Sequence, residues 1–154
     1  MTLLHGLAKI VATESVDGRA ILENPRNNPV CTLSLDEEVR CISVVWRKYA
    51  TSAQLRFIHE VLIEMIQQYG IRKILGDDTD LPVVHAEDQR WIIRDWVPRA
   101  EAAGLRAVAA TTSLSFFGML SISNIHSQLP DSIAIKQFSN IIAARKWLSR
   151  YSEY

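Results

Sequence analysis

The run Asp77-Asp78-Thr79-Asp80 sets three carboxylates around one hydroxyl. Such hard oxygen donors suit Mg²⁺ or Ca²⁺. The run lacks the spaced acidic pattern and distal glutamate of a calcium loop. It therefore reads as a solvated turn in which one aspartate caps a helix or satisfies a loop amide. No bound metal and no cofactor is expected. Thr79 is the one hydroxyl able to take a phosphate here, and the flanking carboxylates would repel the added charge. The histidines His5, His59, His85 and His126 are neither paired at i+4 nor near a cysteine, as zinc sites require. No Gly-x-Ser-x-Gly elbow is present, and Phe116-Phe117-Gly118 has no phosphate-loop context. No residue has a catalytic setting, so a non-enzymatic protein is the expectation. A metal-assisted enzyme using Asp77, Asp78 or Asp80 is the weaker alternative.

Aromatic residues are the other candidates. Trp91 and Trp96 lie five residues apart in a helical pattern. On a regular α-helix that spacing is about 500° of rotation, which leaves the two rings about 140° apart. One of them is then expected at a cleft edge or a subunit contact. Cys31 and Cys41 fall on neighbouring apolar runs. With Asp36-Glu37-Glu38 as a hairpin turn they share a face without being opposite, and are expected buried and reduced. Trp46-Arg47-Lys48-Tyr49 spells a plant DNA-binding signature, but the zinc ligands of that module are absent. A formal charge of zero, 17 basic against 17 acidic residues, also argues against nucleic acid as a partner.

These residues must be held by an alternation of helices and strands. Residues 1 to 29 form a less regular extension, with an edge strand at 7–13 and a loop over Asn24-Pro25-Arg26-Asn27-Asn28-Pro29. Val30–Leu35 and Val39–Trp46 read as an antiparallel pair. Leu55, Ile58, Leu62, Met65, Ile66 and Tyr69 trace a helical stripe, with Thr51 or Ser52 as N-cap and Gly70 closing it. A strand over 71–75 follows, then a helix from His85 to Ala103. Glu87 and Asp88 complement the dipole of that helix, and Pro98 kinks it near residue 94. Strands over 105–110 and 133–138, a short helix over 113–124 and a closing helix over 140–149 complete the pattern. The expected fold is a single α/β domain over 1–154. Its mixed sheet has about five strands, antiparallel at the start and parallel later, covered by three or four helices.

In such a sheet, ligands bind beyond the carboxyl ends of the parallel strands. Those ends are the Gly76–Val84 loop, Thr111-Thr112-Ser113, and the region from Gln137 to Asn140. The residues expected to contact a ligand or partner are thus Asp77, Asp78, Thr79, Trp91, Trp96, Thr111, Thr112, Ser113 and Phe116.

Several phrases also match a family. Asp77 or Asp78, Trp91-Ile92, Trp96-Val97-Pro98-Arg99-Ala100, Gly104-Leu105, Phe138 and Ala144-Arg145-Lys146-Trp147-Leu148, with Trp46 ending the second strand, stand in a recognisable order. Over about residues 30 to 149 the chain resembles the small stand-alone SpoIIAA-like proteins of the STAS superfamily. The resemblance implies the STAS-like fold, shared in outline with the CRAL-TRIO lipid carriers, and implies no activity. Better-known STAS proteins switch partner binding by phosphorylating a serine in an Asp-Ser-x-Gly context. Gly76-Asp77-Asp78-Thr79-Asp80-Leu81-Pro82 departs from that context.

The leading expectation is an interaction or regulatory module with a protein partner. The alternative is a carrier of a small apolar ligand or lipid, in a cleft between the sheet and the helices bearing Trp91, Trp96, Phe116 and Phe117. No run approaches the roughly 18 apolar residues of a membrane span, and the N-terminus has no basic leader, so a cytoplasmic protein is expected. A stray tryptophan ring is costly to leave in water, at roughly 25 cal/mol per Å². A twofold homodimer covering Trp91 or Trp96 is therefore expected as well.

Overall fold

A computed structural model of the chain describes residues 11–14, 20–23 and 29–152, with side chains described from Val30 onward. The strands are β1 (Val11–Glu14), β2 (Ala20–Glu23), β3 (Pro29–Asp36), β4 (Cys41–Trp46), β5 (Lys73–Asp77), β6 (Ala107–Thr111) and β7 (Ala134–Phe138). They form one mixed sheet in chain order. The pairs from β1 to β4 are antiparallel, and those from β4 to β7 are parallel. The five expected strands are β3 to β7. Two more, β1 and β2, extend the antiparallel edge. Residues 7–10 of the expected edge strand, and the expected loop over 24–28, lie outside the described residues.

The helices are α1 (Ser52–Tyr69), α2 (Ala86–Trp91), α3 (Val97–Ala103), α4 (Phe116–His126) and α5 (Ile141–Arg150). A π-helical turn, Ile92–Trp96, joins α2 to α3 without a break, so four helical bodies cover the sheet. Thr51 caps α1 in a reciprocal box with Gln54, and Gly70 ends it in the left-handed conformation. Parallel strands laid down in one direction, each joined by a right-handed crossover, put their helices on one face. Leu55, Ile58, Ile92, Trp96 and Ile122 accordingly share a core with Ile42, Val44 and Ile74. The chain turns back only after β7. There α5 seals the opposite face, where Ala144 and Leu148 meet Cys41, Leu75, Ala107 and Ala109.

Two expectations about facing change with the backbone. Cys31 pairs with Trp46, and Cys41 pairs with Asp36, so the cysteines lie on opposite faces. A four-residue connection, Glu37–Arg40, replaces the expected three-residue turn, with Arg40 at φ 62°. One residue of register exchanges the faces of a strand. Both thiols are buried and free, and burial pushes that of Cys41 up to about 12.

The π turn alters the tryptophan geometry in the same way. The Val97 N–H reaches back five residues to the Ile92 carbonyl, which absorbs one extra residue in the turn. Trp91 and Trp96 then stand as i and i+4 would on an α-helix, about 40° apart rather than 140°. Both rings meet the His59 imidazole edge-on, at 6.0 and 4.9 Å between centroids. Trp96 is buried and donates its indole N–H to the His59 carbonyl at 2.6 Å. Trp91 is partly buried and carries the Arg56 guanidinium over its face at 5.2 Å. Neither ring is stray, so the surface argument for a dimer through them loses its premise.

Candidate functional site

Between the helical layer and strands β4 to β6 lies a cleft, partly open to solvent, with a cavity volume of about 120 Å³. Its floor is cut by two small residues. Gly76 on β5 pairs with Val44 on one side and Ala110 on the other. Larger side chains at these two positions would fill the space. The walls come from Trp46, Leu62, Trp96, Val97, Leu105 and Ile122, among others. Apart from His59, His126 and Asp78, every side chain on the lining is apolar or an indole.

The loops at the carboxyl ends of β5 and β6 are tied together above this floor. Asp77 accepts the Thr79 amide at 3.2 Å and the Thr79 hydroxyl at 2.7 Å. Thr111 donates its hydroxyl to the same Asp77 oxygen at 3.3 Å and accepts the Asp78 amide at 2.9 Å. Buried Ser113 donates to the Leu81 carbonyl at 2.6 Å, and the Leu114 amide donates to the Thr79 carbonyl at 3.0 Å. The start of α4 sits so close to this loop that a Cβ on Gly118 would collide with the Leu81 and Pro82 carbonyl oxygens. Asp77, Thr79, Thr111 and Ser113 thus spend their polar groups on one another and on the loop backbone.

Asp78 does not. Its side chain turns to the opposite side from that of Asp77, under the helices, and the residue is only 7% exposed. Its carboxyl oxygens lie over Gly76, 3.5 and 3.7 Å from where a Cβ would stand, and face the cleft. No donor among the described residues meets them. Burial, reinforced by the Asp77 charge, pushes the carboxyl up to about 7. This corrects the reading of the acidic run as a solvated turn. Asp77 does satisfy a loop amide, while Asp78 is a largely buried acid at the edge of an apolar wall, its oxygens reached only from the cleft.

The two histidines on the lining are uncharged at neutral pH, because burial lowers each to about 4. His59 Nδ1 donates to the Leu55 carbonyl at 2.8 Å, which leaves Nε2 as an acceptor. His126 Nδ1 lies 3.0 Å from Gln137 Nε2. Among the described residues no group of three or more His, Cys, Asp or Glu side chains is arranged to hold a metal ion.

The remaining expected site residues are scattered. Trp96 lines the cleft, and Trp91 packs beside it on His59. Thr112 is exposed on the loop. Phe116 and Phe117 are 63% and 65% exposed on the outer side of α4, not in the cleft. The helix contributes Ile122, Ile125 and His126 to the lining instead. Sequence reasoning missed the small floor residues Gly76 and Ala110, for which the only signal was a glycine inside β5 and the alanines of β6. It also took Asp88 for a dipole partner alone. Asp88 is buried, accepting from Ser52 Oγ at 2.6 Å and Arg56 Nε at 3.2 Å, and so clamps α2 to α1.

Among the described residues no helix is long and apolar enough to cross a membrane. Comparison with protein-family models and with curated proteins finds no match to this sequence. The cleft has to be read from its own geometry.

Proposed function

We propose that the protein binds a small, largely apolar molecule in the cleft beneath α1 to α4. The observation that carries this is the cavity itself, about 120 Å³ over Gly76 and Ala110, lined by apolar side chains and two tryptophans. A closed apolar cavity of about 150 Å³ takes up benzene, and this cleft, smaller but partly open, has room on the order of one such ring. One end of the site, at Trp46 and Asp78, reaches the carboxyl ends of the parallel strands, where such sheets bind ligands. The role is that of a carrier or sensor, in keeping with the lipid-carrier side of the STAS-like resemblance. Two unbridged cysteines on opposite faces suit a reducing compartment such as the cytoplasm. Toluene titrated into the protein will change the fluorescence of Trp46 and Trp96 saturably, and Ala110→Leu, which fills the floor, will abolish the response. A linear, non-saturating signal in both proteins would exclude the cleft as a site.

A second reading rests on a different surface. Leu114, Phe116, Phe117, Met119 and Leu120 form an exposed apolar patch around the start of α4. Such a patch suits association, and twofold pairing of identical chains is the commonest closed solution. Light scattering at micromolar concentration tests it. Twice the 17.4 kDa chain mass, returning to one chain in Phe117→Ser, supports a dimer through α4; a single-chain mass at all concentrations removes it.

A further inference from the structure

A cavity made only for hydrocarbon would not hold in its wall a largely buried carboxyl that no protein donor meets. Removing a polar group from water without a partner is unfavourable, and a carboxylate more so. Asp78 is held there by its position in the chain, two residues past Gly76 on the cleft side of the sheet. Trp46 is placed equivalently on β4, two residues past Val44, the partner of Gly76. The acid and the indole are therefore neighbours at one end of the cleft, and both line it. We propose that the ligand of this cleft is a small primary amine, about one aromatic ring in size, whose ammonium group sits on the Asp78 carboxylate beside Trp46. The proposal rests on the reading of the cleft as an apolar-ligand site and names the chemical class that the site takes.

The charges around the cleft favour this class over the alternatives. The titratable groups acting on or near Asp78 are Asp77, its chain neighbour on the other side of the sheet, whose negative field reaches it, and the Cys31 thiol on β3. Across the cleft stand His59 from α1 and His126 from α4, both neutral. No Lys or Arg lines the space. A fatty acid or other carboxylate would meet only a like charge. A neutral alcohol would gain one hydrogen bond and bring no counter-charge. An ammonium supplies the missing donors and a full counter-charge where water is largely excluded, so the pair forms a charge-assisted bond. The indole face adds attraction for the same cation.

Benzylamine, benzyl alcohol and benzoate, which share one ring and differ in the head group, separate these possibilities. Isothermal calorimetry at pH 6 and pH 8 is the measurement, with Trp fluorescence as a second readout. Benzylamine should bind at least tenfold more tightly than benzyl alcohol at pH 8, and benzoate should not bind. Its affinity should fall about tenfold from pH 8 to pH 6 as Asp78 takes up a proton, since the amine stays protonated throughout. Asp78→Asn should remove both the advantage of the amine and the pH dependence. The pH series on the unaltered protein tests the assignment independently of that variant. Equal, pH-independent binding of amine and alcohol would overturn the amine and leave the apolar site standing. Failure of all three ligands and of toluene would remove both.

Discussion

Asp78 can be tested without any ligand, because a buried acid couples folding to pH. Its native carboxyl sits at about 7 against an ordinary 3.8. Between those values the folded chain keeps a proton that the unfolded chain has released, so stability falls as pH rises. Below about pH 4 both states are protonated and the group contributes nothing. Above about pH 7 both are ionised and the loss is complete. A shift of about 3 units corresponds to about 4 kcal/mol at most, accumulated at up to 1.36 kcal/mol per pH unit. Asp78→Asn keeps the shape and removes the titration. Its own cost, a buried amide lacking partners, is the same at every pH and cancels when two pH values are compared. Urea denaturation of both proteins at pH 5 and pH 8 should therefore show the variant gaining about 2–3 kcal/mol on the parent between the two. The gain has one sign, relative stabilisation at the higher pH. An equal difference at both pH values, or a variant that loses ground at pH 8, would show that Asp78 is solvated or paired and refute the geometry described above.

Three further outcomes follow from the packing. Gly118→Ala forces a methyl group into the Leu81 and Pro82 carbonyl oxygens and should cost about 3 kcal/mol or more, read as a lowered midpoint in thermal unfolding. Trp96→Phe removes the donor to the His59 carbonyl and leaves that oxygen short of a partner; about 1–3 kcal/mol should be lost in urea titration, with far-ultraviolet circular dichroism unchanged. Thr79 already donates to Asp77 and has Asp78 and Asp80 beside it, so peptide mass spectrometry of protein from growing cells should find it unphosphorylated, and stoichiometric phosphothreonine would contradict this.

The legible parts of the chain were those where local chemistry and packing agree. Thr51, the Leu55-to-Tyr69 stripe and Gly70 announce α1 at both ends, and the change from antiparallel to parallel pairing follows from the alternation of helices and strands after β4. Faces were harder. The face of Cys41 depends on a single residue in the β3–β4 connection, and no composition rule distinguishes three turn residues from four with Arg40 at positive φ. Trp91 and Trp96 were misplaced because uniform α-helical rotation was assumed between them, although Pro98 was expected to kink the helix near residue 94; a π turn occupies that place. Asp78 was hidden by its neighbours. Three aspartates around a threonine look equally wet, and only the alternation of facing along β5 and beyond separates Asp77 at the loop from Asp78 under the helices. Phe116 and Phe117 ran the other way, being strongly apolar yet turned outward by the anchoring of Gly118 and Ser121 against the 81–84 loop.

The π turn also fixes how this helix can change length over time. A one-residue deletion between Ile92 and Trp96 would restore an uninterrupted α-helix, normally the more comfortable state. Here Pro98 would then press its ring against the carbonyl one regular turn earlier. Relative to α2, everything from the deletion onward would keep its facing, because Trp96 would then stand four residues after Trp91, about 40° away, as the π turn already places it. Trp96 would still face His59, Val97 the cleft and Arg99 Glu60, so the clash at Pro98 alone opposes the shorter helix. The proline and the surplus residue therefore hold each other in place. Lineages descending from this chain should keep both or replace both together, and a gap at this point in a future alignment should coincide with the loss of the proline.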